Sequence, residues 1–197
     1  MSETRDPIGV VLAGGAGRRI GGAKATVALC GRPLLLYPLR VLQAVLAEVV
    51  VVAKAGTELP PLPGVPVWTE PDEPRHPLAG IVHALERAAP PAGIPGEARA
   101  ILVCAGDLPF ASPELVELVA HADAVGGPAL VPRVGGRLQP LLARYEPAAR
   151  VPLAAALARR PLPSLIGAVT ALAPQVLELD DELPFFNVNA PEDLLTA

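Results

Sequence analysis

Ile8-Gly9-Val10-Val11-Leu12-Ala13-Gly14-Gly15-Ala16-Gly17-Arg18-Arg19-Ile20-Gly21-Gly22-Ala23-Lys24 is the stretch from which the fold is read. Its first five residues form a short, β-branched apolar run, which predicts a strand buried on both faces. Five glycines then fall between positions 14 and 22, with Arg18, Arg19 and Lys24 among or just after them. Glycines let backbone N–H groups approach and converge on an anion, and the cations neutralise what arrives, so the loop reads as a phosphate site. Read alone it is equally a flexible turn with incidental charge. Its spacing rejects two common motifs. A dinucleotide fingerprint starting at Gly15-Ala16-Gly17 needs glycine where Ile20 stands, and a P-loop needs glycine before its lysine, where Ala23 stands.

Outward from this stretch, apolar runs alternate with helix-like segments. Pro33 is placed to open a helix whose apolar face is Leu34, Leu35, Leu39, Leu42 and Leu46, with Pro38 expected to kink it. Val49 to Ala53 reads as a second buried strand, and Val65 to Trp68 as a weaker one. Pro77 to Ala89 reads as a helix with Leu78, Ile81, Val82 and Leu85 inward. Ala100 to Ala105 is a strong strand that runs into Gly106-Asp107-Leu108-Pro109, and Ser112-Pro113-Glu114 then signals a helix start. Further on, 129–132, 140–145 and 175–179 read as strands and 148–159 as a helix, with Gly135-Gly136 as a turn between the first two strands. This alternation predicts one domain over residues 1–197. It would be a three-layer α/β/α fold with a mostly parallel, Rossmann-like sheet and an antiparallel part in its C-terminal half. Ligands of such sheets sit beyond the carboxyl ends of the strands, so 13–24 and 106–109 are the segments to watch.

Composition narrows the function classes. Twenty-five prolines and 18 glycines invite a disorder reading, but 51% of residues are hydrophobic and 18% charged, the reverse of a disordered chain. Cys30 and Cys104 lie far apart without metal-ligand spacing, which argues against a disulfide framework or zinc site and for a reducing cytoplasm. The first dozen residues carry charge where a signal peptide needs an apolar core, and no apolar stretch is long enough to span a membrane. A net charge of -4 argues against an extended nucleic-acid surface. Of 16 basic residues only Lys24 and Lys54 are lysine. A lysine inside a glycine-rich loop therefore suggests that a compact point charge is wanted there. His76, His83 and His121 are far apart in sequence and read as packed or solvated rather than catalytic.

Taken together, the loop resembles the LAGG-x-x-x-R-M-G-x-D-K signature of the molybdenum cofactor guanylyltransferases. Three further stretches resemble the same family in order: Pro77-Leu78-Ala79-Gly80, Cys104-Ala105-Gly106-Asp107-Leu108-Pro109, and Phe186-Asn187-Val188-Asn189-Ala190-Pro191-Glu192-Asp193-Leu194. Gln139-Pro140-Leu141 also fits. The resemblance spans about 10 to 195. It implies transfer of GMP from GTP to the terminal phosphate of molybdopterin or Mo-molybdopterin, with Mg2+, and transient contact with molybdenum-insertion or acceptor enzymes. A phosphate monoester is largely a dianion near neutral pH, so the nucleophile needs no strong general base.

On this resemblance, Leu12, Ala13, Gly14, Gly15, Gly17, Lys24, Glu70 and Asp107 bind the nucleotide. Arg19, Lys24 and Asp107 are the catalytic set, and Asp107 is the metal ligand. Asn187 and Asn189, two apart on an extended segment, share a side and could contact substrate or a second metal position; equally, they form a turn and cap before a helix at Pro191. Gln139 and Arg137 would meet the pterin. The chain departs from the family pattern at Ile20, Ala23 and His76, and Val52-Ala53 replaces an asparagine used by some members near guanine. Leu12-Ala13-Gly14-Gly15 favours guanylyl over cytidylyl relatives. A cytidylyltransferase or other nucleotidyltransferase with a different phosphorylated acceptor, and a non-catalytic nucleotide- or pterin-binding module, are the alternatives.

Overall fold

The computed structural model describes residues 6–13, 24–91, 96–122, 126–188 and 193. The expectations placed on 14–23 and on 189–192, including Gly14, Gly15, Gly17, Arg19, Asn189 and the helix start at Pro191, lie outside the described residues.

Ten strands and five helices follow in the order β1 (Ile8–Leu12), β2 (Ala28–Leu29), β3 (Arg32–Pro33), α1 (Leu36–Val45), β4 (Val49–Lys54), β5 (Val67–Glu70), α2 (Pro77–Arg87), β6 (Ile101–Ala105), α3 (Pro113–Ala120), β7 (Ala129–Val134), β8 (Arg137–Leu138), β9 (Leu142–Tyr145), α4 (Arg150–Leu157), α5 (Leu165–Thr170) and β10 (Gln175–Leu179) among the described residues. The main sheet has the order β10-β7-β9-β6-β1-β4-β5, with β8 beside β7, while β2 and β3 form a separate hairpin. β1 pairs in parallel with β4 and β6, β4 with β5, and β7 with β10. β9 runs antiparallel to β6 and β7. The sheet is therefore mostly parallel with an antiparallel part in the C-terminal half.

Strand residues alternate between two cores. Val11, Val51, Leu102 and Cys104 face one side, where Leu39 and Leu42 of α1 and Val116 and Val119 of α3 cover them. Val10, Val50, Val52, Ile101 and Val103 face the other, under Leu78, Ile81 and Leu85 of α2, Leu153 of α4 and Val169 of α5. β1 and β6 are buried along their whole length, as parallel strands covered on both faces must be. The three layers follow from this two-sided burial. Truncating a fully buried side chain such as Ile81 or Leu102 would open a cavity, typically at a cost of about 2–5 kcal/mol.

Several boundaries differ from the sequence reading, each for a local reason. Pro33 belongs to the β2–β3 hairpin, whose turn carries Cys30 and Gly31 at positive φ, and the helix starts three residues later. Pro38 consequently falls in the first turn of α1, where its missing N–H would have no helical partner, so it causes no break. β5 begins at Val67 rather than Val65, and the Gly135-Gly136 turn joins β7 to the short β8 before the chain returns as β9. The 148–159 helix shortens to α4, preceded by a 3-10 turn at Pro147–Ala149. The sequence reading had no counterpart of α5, a six-residue helix capped by Ser164. Ser112 caps α3 as read, its hydroxyl accepting from Leu115 N–H at 3.2 Å.

His76, a departure from the family pattern, is the N-cap of α2: its Nδ1 accepts the Leu78 N–H at 3.2 Å. Burial holds its pKa below the ordinary 6.5. The folded state thus prefers the neutral ring, and the stabilisation is complete above 6.5 and lost as pH falls through the lower folded value. His76→Ala is expected to cost about 1 kcal/mol near neutral pH. His76→Asn, which caps at any pH, should remove this part of the acid sensitivity, read as the difference between the melting curves of variant and parent across that window.

Candidate active site

Four parallel strands, β6, β1, β4 and β5, end at one edge of the sheet, and their ladder continues past the strand ends. Ala13 N–H donates to the Val52 carbonyl at 2.9 Å, and Gly106 N–H to the Leu12 carbonyl at 3.0 Å. Glycine at 106 suits this approach, because a Cβ there would lie 2.7 Å from Leu35 Cδ1 and 3.1 Å from the Leu12 oxygen, so both would have to shift. The turn that follows presents Asp107 beside Lys24, whose Nζ donates to Asp107 Oδ2 at 2.5 Å. Both side chains are more than four-fifths buried. They line a recess of about 270 Å3, counting its open mouth, whose remaining walls are Leu12, Ala13, Ala25, Leu35 and Gly106. The sequence-predicted residues Leu12, Ala13, Lys24 and Asp107 are therefore brought together.

Glu70 stands at the end of β5, two strands beyond β1 on the same edge. It is the only buried charged residue among those described, at 6% exposure. The register places it opposite Lys54, whose Nζ lies 3.6 Å from Oε1 and donates to the Pro71 carbonyl at 2.5 Å. Its other oxygen, Oε2, is buried without a hydrogen-bond partner among the described residues. A Cβ at Gly80 would come within 3.4 Å of this oxygen and 3.1 Å of Leu12 Cδ2, so the Pro77-Leu78-Ala79-Gly80 stretch is where α2 settles over the strand ends. Burial raises the Glu70 pKa above 4.5, outweighing the attraction and hydrogen bond of Lys54.

The C-terminal half closes the opposite side. Ala105 N–H donates to the Leu141 carbonyl at 2.8 Å, which brings the Gln139-Pro140-Leu141 stretch to the carboxyl end of β6. Gln139 itself directs Nε2 at the Arg137 carbonyl, at 3.5 Å. Val188 N–H donates to the Asp107 carbonyl at 3.0 Å, so Asn187 lies next to the site, with its Nδ2 donating to the Phe185 carbonyl at 3.2 Å. The Cys104 thiol is pushed far up by burial and then by the Asp107 carboxylate, which rules it out as a nucleophile. Lys54 and the cap at His76 were not found from sequence as parts of this edge. The scarcity of lysine that singled out Lys24 applied equally to Lys54.

A largely buried cation and carboxylate at the carboxyl edge of an open sheet, with no activated nucleophile beside them among the described residues, suit holding and orienting charged groups rather than attacking them. Fold and site define a nucleotide-handling α/β enzyme. The family model described as MobA-like NTP transferase domain matches residues 9–174. A molybdenum cofactor guanylyltransferase of Cereibacter sphaeroides is 33% identical over 190 residues, covering 96% of this chain and 94% of the relative. A probable molybdenum cofactor guanylyltransferase of Mycobacterium tuberculosis is 35% identical over 190 residues, covering 94% and 90%. The crystal structure of molybdopterin-guanine dinucleotide biosynthesis protein A from Archaeoglobus fulgidus superposes with a TM-score of 0.74 at 25% identity, covering 95% of each chain. The chain belongs to the MobA-like NTP transferase family and is a nucleotidyltransferase.

Glu70 provides a test of whether this edge is built for folding or for a ligand. Its raised pKa means that the ionised form opposes folding, so the cost is absent well below 4.5 and grows as pH rises through the folded value. Glu70→Gln is expected to be more stable relative to the parent near neutral pH than in acid, because the glutamine carries no charge to bury. Denaturant titrations of variant and parent in the two conditions check this difference.

Proposed function

We propose that this chain transfers GMP from GTP to the terminal phosphate of molybdopterin, or of its molybdenum form, releasing pyrophosphate. The Lys24–Asp107 pair at the mouth of the recess carries this reading. An oxygen of the acceptor's phosphate attacks the α-phosphorus of GTP; the bond from that phosphorus to the oxygen bridging to the β-phosphate breaks, and pyrophosphate leaves with its electron pair. The attacking group is already anionic near neutral pH, so the protein's task is alignment and charge stabilisation. That matches a site whose nearest thiol is inert.

Lys24 donates to phosphate oxygens once a nucleotide arrives, joined by Arg19 and by the amides of Gly14, Gly15 and Gly17. Leu12 and Ala13 form the floor under the nucleotide. Glu70 offers its orphaned oxygen to a hydroxyl or N–H of the nucleoside, held in place by Lys54. Asn187, Asn189 and Gln139 are assigned to contact with substrate or a second metal position.

Asp107 suits Mg2+ on the chemistry of its donor set. It is a single hard oxygen ligand, and no group of three or more metal-ligating side chains gathers among the described residues. Mg2+ typically takes one or two carboxylates and completes its shell with waters and substrate phosphates. When bound, the ion supplies neutralisation of charge developing on the α-phosphate and the leaving pyrophosphate.

Pyrophosphate release in the presence of GTP, Mg2+ and molybdopterin tests the reading. Asp107→Ala is expected to lower kcat/KM by about 100-fold or more, as losing a preorganised charge contact does. In competition among GTP, CTP, ATP and UTP, GTP should be consumed first; preference for CTP would move the chain to the cytidylyl reading. Tight GTP binding without turnover on any pterin acceptor would instead make it a binding module.

A further inference from the structure

The chain has only six aromatic residues; Phe110 and Phe186 flank the Asp107 turn through the chain and the Val188 N–H bond, and Tyr37 shares an apolar cluster with Phe186. Phe185 is buried in the core under α1 and α3. Phe110, three residues past Asp107, and Phe186, two before Val188, are half-buried and tilted against one another, with ring centroids 6.1 Å apart at 57°. The Val188 N–H bond to the Asp107 carbonyl fixes this pair to the backbone of the metal-binding turn. Phe186 and Tyr37 rest on a small separate cluster of Leu29, Leu34 and Val188. The exposed Arg32 guanidinium stacks over the Tyr37 ring at 5.3 Å, adding a positive charge to the same rim.

We infer that Phe110 and Phe186 form the stacking platform for the acceptor, a flat fused-ring heterocycle carrying a phosphate monoester. This rests on the function proposed above. In the function proposed above the nucleoside takes the β4–β5 side, next to Glu70 and Lys54, which leaves the β6 side of Asp107 for the acceptor. That side carries Phe110, Phe186 and Asn187, along with Gln139. Aromatic faces bind flat heterocycles without reading their edges, and the cation on the rim complements an anionic acceptor.

Leucine at either position keeps apolar bulk and removes the flat face, while Phe110→Tyr keeps the ring. With GTP saturating and molybdopterin varied, Phe110→Leu and Phe186→Leu are expected to raise the acceptor KM about tenfold or more, as losing a stacking face does. The KM for GTP should stay unchanged, and Phe110→Tyr should restore the parent value. Fluorescence titration of a pterin monophosphate against the same proteins without GTP should show the same order of affinity. Unchanged acceptor KM and pterin affinity in both leucine variants would overturn the platform, as would a loss in Phe110→Tyr equal to that in Phe110→Leu. If Phe186→Leu melts below the parent, the Phe110 comparison decides alone. Parent protein that turns over no pterin with GTP, yet binds the pterin monophosphate in a Phe110-dependent way, would overturn the proposed reaction and leave the platform standing.

Discussion

The hydrogen bond from Gly106 N–H to the Leu12 carbonyl is the constraint on which the site depends. It extends the β1–β6 ladder one residue beyond the strand, at the point where side chains would otherwise force the two chains apart. Because glycine stands at 106, Leu35 can pack down from the α1 side and the next residue, Asp107, emerges over the ends of the strands rather than away from them. Lys24, more than eighty residues earlier in the chain, meets it there. The ends of β4 and β5 are held in turn by the Ala13 N–H bond to Val52 and by the parallel register, which aligns Lys54 with Glu70. One backbone contact thus sets the relation between elements that are nearly a hundred residues apart in the chain.

The two charge pairs on this edge differ in kind. Lys24 and Asp107 keep access to solvent through the recess, and each has a close partner whose charge it balances. Glu70 sits deeper, its second oxygen unmatched, and its desolvation outweighs what Lys54 returns. Removing charges from water is costly, and an apolar residue at 70 would suit the surrounding packing better. Glu70 therefore stands beside the first turn of α2 at a cost to the packing around it. The sheet below is almost wholly apolar, which leaves these few charges to define the polarity of the edge.

Much of this was legible in sequence where the signal was local and uninterrupted. β1, β4 and β6 read as buried strands because each is a continuous apolar run, α2 as a helix because Pro77 precedes an apolar face, and α3 because Ser112 and Pro113 mark its start. Leu12, Ala13, Lys24 and Asp107 were placed at one edge because parallel strands share the direction of their ends. What escaped was set by tertiary context. Pro33 carries a helix-start signal, yet the short hairpin ahead of α1 claimed it. Periodicity in six residues is too brief to announce α5. The Lys54–Glu70 pair requires the β4–β5 register, and no spacing along the chain encodes that. His76 reads as a packed or solvated histidine until its Nδ1 is seen to accept the Leu78 N–H.

The Val188 bond to the Asp107 carbonyl has a bearing on how the protein comes into being. The chain is synthesised from its N-terminus, and β1, β4, β5 and β6 can be made and paired long before residue 188 leaves the ribosome. The turn that presents Asp107 gains its last backbone partner only when that late segment docks. The turn is thus completed by a segment made some eighty residues after it, so a product cut short before residue 188 would lack the tie that holds Asp107 in place.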